Sequence, residues 1–256
     1  MPRIPFLAGC ATTALMLCGA NAQAATWSAT SPDAYSCSTP NLFASWSYDS
    51  YTFSNDVWSP CYGVAAGEQT VWANSNMNWG VSSDQPETGG IKSYPHIGYT
   101  VNKTMSSLKS LTAVVSVSTP SGGAWESTFD IWAGNNAHEI MVWLNYTGTP
   151  DGCGNVKPIS ANWTPTGCAI PLQKDVRLSG GIWNVYVGSN GSNAVYSFLR
   201  TTKTDDTMID VLPFMKYLQS RSYFNDVVIG EVQYGFEITS SRGGLRFASS
   251  FAVAAD

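Results

Sequence analysis

His138-Glu139-Ile140-Met141-Val142-Trp143-Leu144 is the stretch on which the fold reading turns. Laid out as a β-strand, it puts Ile140, Val142 and Leu144 on one face and Glu139, Met141 and Trp143 on the other. The first face is core-like. The second sets a carboxylate in line with a thioether and an indole. An acid in so apolar a strand is costly unless it has partners or a task. A Glu near a sheet edge, reaching out to water, is the bland reading of the same pattern.

Outward from this stretch, short β-type runs recur between turn residues. They include 51–57, 69–73, 97–101, 111–118, 125–132, 176–178, 182–188, 194–201, 228–238 and 245–253. That spacing predicts a single all-β sandwich or barrel. Asn190-Gly191, between two of the runs, favours positive φ and a tight hairpin. One helix is expected: Met208, Val211, Leu212, Met215 and Leu218 recur at three- and four-residue steps. Asp210 would be its N-cap and Pro213 would fall in the first turn. Residues 146–173 are rich in Pro, Gly and Asn and read as a long loop.

The N-terminus reads as a signal peptide over residues 1–24. Arg3 precedes an apolar run from Ile4 to about Ala20, and Ala22-Gln23-Ala24 fits a peptidase site. The run is shorter than the roughly 20 residues a membrane anchor needs. An exported, soluble domain over 25–256 is therefore expected, with no membrane association after cleavage. Export places the remaining four cysteines in an oxidising compartment. Of their three possible pairings, Cys37–Cys61 and Cys153–Cys168 are the sequence-local ones. Their spacings do not suit a zinc site. Charged residues make up 12% of the chain and aromatics another 12%, with net charge −5. That balance lacks the basic patch of a nucleic-acid binder. It suits a surface that stacks sugar rings on aromatic faces, although most of the ten tryptophans are expected simply to fill the core.

Two further acids lie in apolar strands. In Glu231-Val232-Gln233-Tyr234-Gly235-Phe236-Glu237, Gln233, Gly235 and Glu237 share a face, and Gly235 leaves space where a ligand could approach. Glu231 has the same parity but lies about 20 Å along the strand, which suits a solvated strand end. Asp130 shares a face with Thr128 and Trp132 and could simply bond a neighbouring hydroxyl. Two carboxylates on one concave sheet suit glycoside hydrolysis. One attacks the anomeric carbon; the other protonates the departing oxygen and then activates water. Retention needs them about 5–5.5 Å apart, a spacing easily met on neighbouring strands.

Six segments together resemble glycoside hydrolase family 12, β-jelly-roll endoglucanases and xyloglucanases. They are Tyr51 to Trp58, Lys92-Ser93-Tyr94-Pro95, Phe129-Asp130-Ile131-Trp132, His138 to Trp143, Trp183 to Phe198, and Gly235-Phe236-Glu237, with the helix around Phe214–Leu218 in the family's position. The resemblance implies a jelly-roll sandwich of two antiparallel sheets, one helix packed outside it, and a concave cleft. It implies Glu139 as nucleophile, Glu237 as general acid/base, and Asp130 as support for the nucleophile. Asn55, Trp58, Met141 and Trp143 would bind the sugar. The chain departs from the family's pattern at Asp56, Ser59, His138 and Ile238, and residues 153–168 resemble an insertion beside the cleft. The expected activity is retaining endo-β-1,4-glucanase on cellulose-type or mixed-linkage glucan, with xyloglucan as the alternative substrate. A non-catalytic lectin and a xylanase are the rival readings. A monomer without metal or cofactor is expected.

Overall fold

The computed structural model describes residues 24–256, so the expected signal segment lies almost wholly outside the described residues. Two sheets face each other. The smaller holds β1 (Trp27–Ser31), β4 (Gln69–Ser75), β5 (Asn78–Ser83), β15 (Leu245–Ala255), β7 (Leu111–Ser118) and β13 (Asp206–Asp210), in that order. The larger runs β10 (Gln173–Leu178), β11 (Gly181–Ser189), β12 (Ala194–Arg200), β9 (His138–Tyr146), β8 (Ala124–Ala133), β14 (Val228–Ser240), β6 (His96–Thr104), β3 (Tyr51–Ser54) and β2 (Ser45–Tyr48). All pairings between these strands are antiparallel except β12 with β9, which is parallel. Every run expected from the sequence forms a strand. The strands β1, β2, β5 and β13 have no counterpart among those runs.

The core is the space between the sheets, and period-2 alternation fills it. From the larger sheet come Ile140, Val142 and Leu144 on β9, Phe129 and Ile131 on β8, and Val232, Tyr234 and Phe236 on β14, all without solvent exposure. The smaller sheet answers with Trp79, Val81, Ala113, Val115, Phe247 and Phe251. Aromatic rings interlock across the gap, as in the Phe236–Phe247 stack at 4.1 Å. The other face of the large sheet carries Glu139, Asp130 and Glu237.

The helix α1 spans Leu212–Gln219. Its Phe214 packs edge-on against Trp183 of β11 and Phe198 of β12, and Met215 and Leu218 are buried with it. The helix begins later than its sequence periodicity suggests. Met208 lies on the edge strand β13 and is exposed. Pairing with β7 satisfies that backbone better than an extra helical turn would. Val211, not Asp210, holds the N-cap position, though the Asp210 carboxylate still accepts from the Leu212 N–H at 3.1 Å. Pro213 falls in the first turn as expected.

Both disulfides pair as the local spacing suggests, Cys37 with Cys61 and Cys153 with Cys168. The second ties the loop between β9 and β10, which folds back across β11. Asn184 Nδ2 and Tyr186 Oη both donate to the Pro150 carbonyl.

Candidate active site

Glu139 stands on the free face of β9, 8% exposed. Its register neighbours are Trp132 on β8 and Val195 on β12. Asn190 Nδ2, at the tip of the β11–β12 hairpin, donates to its Oε2 at 2.9 Å. That tip is a four-residue loop between Ser189 and Ala194 rather than a two-residue turn. Gly191 takes the positive φ there, and the Asn190 Oδ1 accepts from the Ser192 and Asn193 N–H groups. Burial and the nearby Glu237 push the Glu139 carboxyl up to about 7, against the pull of Asn190.

Glu237 stands on β14, in register with Glu126 on β8. The strand β8 thus separates the two glutamates, which the neighbouring-strand picture did not provide for. Their rows, at Trp132 and Glu126, lie six residues apart on β8, roughly 20 Å in a flat sheet. The carboxyls nevertheless feel each other's charge. Burial raises Glu237 as well.

Asp130 lies between them along β8, 4% exposed, with Met141 opposite on one side and Gln233 on the other. It is not tied to a neighbouring hydroxyl: Thr128 Oγ1 donates to the Phe129 carbonyl instead. Its Oδ1 has no hydrogen-bond partner among the described residues. Burial, then Glu139 and Glu237, hold its carboxyl well above the usual carboxylate range.

Beside Asp130 a cleft of about 330 Å³ opens, lined by Asp56, His96, Trp132, Glu231 and Gln233 among others. Glu231 is not the solvated strand end its position suggested. It is half-buried, accepts from Gln233 Nε2 at 2.8 Å, and lies over Gly98, where a Cβ would collide with Oε1. Trp132 Nε1 in turn donates to Gln233 Oε1 at 3.2 Å. Also at the cleft, the Tyr94 carbonyl holds His96 Nδ1 at 2.7 Å, and Asp56 lies 3.8 Å from the same nitrogen.

Several sequence-expected contacts move. Asn55 is fully buried, and its amide is spent on Ser31, the Asn41 carbonyl and Gln69. A side chain so engaged cannot hydrogen-bond a sugar without dismantling that network. Trp143 shares the Glu139 face but does not line open cleft. It is 2% exposed and packs with Met141, Val156, Ala169 and Tyr186 under the 147–172 loop. Met141 is buried in the same cluster. Trp58 is half-buried and meets Tyr62 edge-on. The room that Gly235 provides is taken by Pro95, His96 and the Tyr94 ring rather than left for a ligand. The groups that sequence reasoning missed here are Glu126, Asn190 and His96. Only Asn190 lay in a motif already singled out, and there it read as a turn residue.

Residues 49–254 match the family model for glycosyl hydrolase family 12. The chain belongs to that family. It is a glycoside hydrolase, and the jelly-roll fold agrees. Xyloglucan-specific endo-β-1,4-glucanase A of Emericella nidulans is 31% identical over 215 residues, covering 77% of this chain and 79% of its own. Among solved structures, the xyloglucanase domain of NopAA, a type three effector from Sinorhizobium fredii, in complex with cellobiose, is 41% identical. It has a TM-score of 0.83 and covers 90% of this chain and 99% of its own. A family 12 xyloglucanase from Bacillus licheniformis, at 22% identity and TM-score 0.71 over 90% of this chain and 100% of its own, shows the shared fold. Four cysteines held in two disulfides are not zinc ligands.

Proposed function

We propose that this family 12 hydrolase is a secreted, retaining endo-β-1,4-glucanase with xyloglucan as its preferred substrate. Glu139 is the nucleophile, Glu237 the acid/base and Asp130 the group that supports Glu139. The observation that carries the catalytic part is the pairing of two environments on one sheet face. Glu139 accepts from a neutral amide donor and sits in register with Trp132, which lines a sugar-sized cleft, while Glu237 lies in a buried carboxyl environment that favours its protonated form. Burial raises both carboxyls, and the Asn190 amide pulls Glu139 back toward its ionised form; double displacement requires one ionised and one protonated carboxyl. Trp132, on the strand between them, supplies an aromatic face beside the nucleophile. Xyloglucan is favoured over unbranched glucan because the relatives at 31% and 41% identity carry xyloglucan in their names. Secretion rests on the N-terminal segment and on the two disulfides.

The test is reducing-sugar release from xyloglucan, barley β-glucan, carboxymethylcellulose and xylan, with Glu139→Gln in parallel. Release fastest from xyloglucan, and abolished in the variant, is the expected result. Faster release from barley β-glucan or carboxymethylcellulose restores the cellulase assignment. Wild-type turnover in Glu139→Gln overturns the nucleophile. Glucan binding with no release by the wild type leaves a lectin. Proton NMR of the first-formed product reads the anomeric configuration, and an inverted product removes the covalent intermediate.

A further inference from the structure

Glu126 is a buried acid to which the double-displacement scheme assigns no task. It sits on β8 directly opposite Glu237 of β14, and on its other side Tyr146 of β9 is in register. Its exposure is 0%. No N–H or O–H group among the described residues donates to either carboxyl oxygen. The Tyr146 hydroxyl is turned to the Arg200 carbonyl, and the Lys203 ammonium goes to the carbonyls of Tyr146 and Gly148. Among the described residues, the Glu237 carboxyl, in register across the strand pair, is the polar group that interacts with it.

Two carboxylates are acceptors only and cannot bond each other. A bond forms between Glu126 and Glu237 when the pair holds a proton. An ionised, unpaired Glu126 in this position would carry the full cost of a buried charge. Glu237 keeps partial contact with solvent, so it is the member of the pair that ionises more readily. Burial and the Glu237 charge both hold Glu126 well above the usual carboxylate range.

We propose that Glu126 is a permanently protonated positioning residue whose O–H donates to the Glu237 carboxylate once Glu237 has given up its proton. The proposal rests on the assignment of Glu237 as acid/base. In the first step the Glu237 proton passes to the departing glycosidic oxygen, and Glu237 is left as an anion that accepts from Glu126. In the second, Glu237 takes a proton from the attacking water and returns to its starting state. Glu126 neither gains nor loses a proton over the cycle. It holds the Glu237 anion in place and keeps the Glu237 titration from rising further. The other ionisable groups whose charge reaches Glu237 are Asp56 from the segment after β3, Tyr94 from the segment before β6, Asp130 on β8 and Glu139 on β9. None of them is a cation that could do the same.

The experiment is the pH profile of kcat/KM for wild type, Glu126→Leu and Glu126→Gln, on whichever of xyloglucan and barley β-glucan the wild type cleaves faster. Loss of the donor favours protonated Glu237, so Glu126→Leu is expected to move the basic limb up by about one pH unit. Glu126→Gln keeps an N–H donor and is expected to move it by less than half as much. A basic limb unmoved in Glu126→Leu, or moved equally in both variants, overturns the proposal. A purely structural role would lower thermal stability and leave the limb in place. If neither variant folds, carbon-13 carboxyl shifts of the wild type decide. One glutamate at position 126 still protonated above pH 7 supports the proposal, and an ionised one ends it. Glu237→Ala on a dinitrophenyl cellobioside separates the two levels. That substrate needs no acid, so cleavage survives without a basic limb if Glu237 is the acid. A basic limb retained in Glu237→Ala removes the acid/base assignment itself.

Discussion

Among the described residues, the Asn190 amide is the only side-chain donor that reaches Glu139. A bond to a charged group contributes about 1.5–3 kcal/mol, and it favours the ionised form of Glu139, the proposed nucleophile. Removing it by Asn190→Ala is expected to raise the acidic limb of kcat/KM by roughly one pH unit or more. An unmoved limb would mean that solvent replaces the amide at no cost. The two strand-centred acids Glu139 and Glu237 were legible in the sequence because a carboxylate among alternating apolar residues is conspicuous. Glu126 was not. It has Trp125 before it and Ser127 and Thr128 after it, so the local pattern carries no anomaly. Its significance comes from facing Glu237 across a strand pair that is more than a hundred residues apart in sequence.

Lys92 shows what one buried cation does for a segment beside the site. It is fully buried and donates to the carbonyls of Thr88, Gly89, Gly90 and Thr239. Its own backbone N–H bonds the Ile238 carbonyl, next to Glu237. Lys92→Met would leave these carbonyls without their donor. A loss of at least ~2 kcal/mol is expected, read as a lowered urea midpoint, together with a fall in kcat as the end of β14 loosens. A variant that loses neither would show that water fills the cage. The covalent element makes a second prediction. Opening Cys153–Cys168 by double substitution to Ser should cost about 3 kcal/mol by chain entropy. It should also raise hydrogen exchange at Tyr186 and Trp143, because the 147–172 loop covers them. At this scale the sequence placed most strands correctly through period-2 alternation. It counted Met208 in the helical periodicity, because that residue fits a helical step as well as a strand edge. Pairing of Met208 with Val114 on β7 placed it on the strand.

Across the whole molecule, the buried acids of one sheet face set how stability follows pH. The Glu139 value near 7 lies above its ordinary 4.5, so the folded protein binds a proton there that the unfolded chain releases first. The associated stabilisation is fully present below the unfolded value and is lost as pH rises through about 7. Asp130 and Glu126 are raised too and act in the same direction. Wild type is therefore expected to lose stability between pH 5 and 8. Glu139→Gln, neutral throughout, should gain on wild type by up to roughly 3 kcal/mol over that range; parallel urea curves for the two proteins would show no such divergence if Glu139 is exposed and unperturbed. The sequence by itself determined the sandwich class, the two cysteine pairs and the family, because alternation, local spacing and strand motifs are properties of short stretches. Only the tertiary structure decided that β8 stands between the two glutamates, that Asn55 and Trp143 are buried, and that Glu126 faces Glu237. Those facts depend on which strands pair and in what register, and that choice is made by burial of the whole core at once.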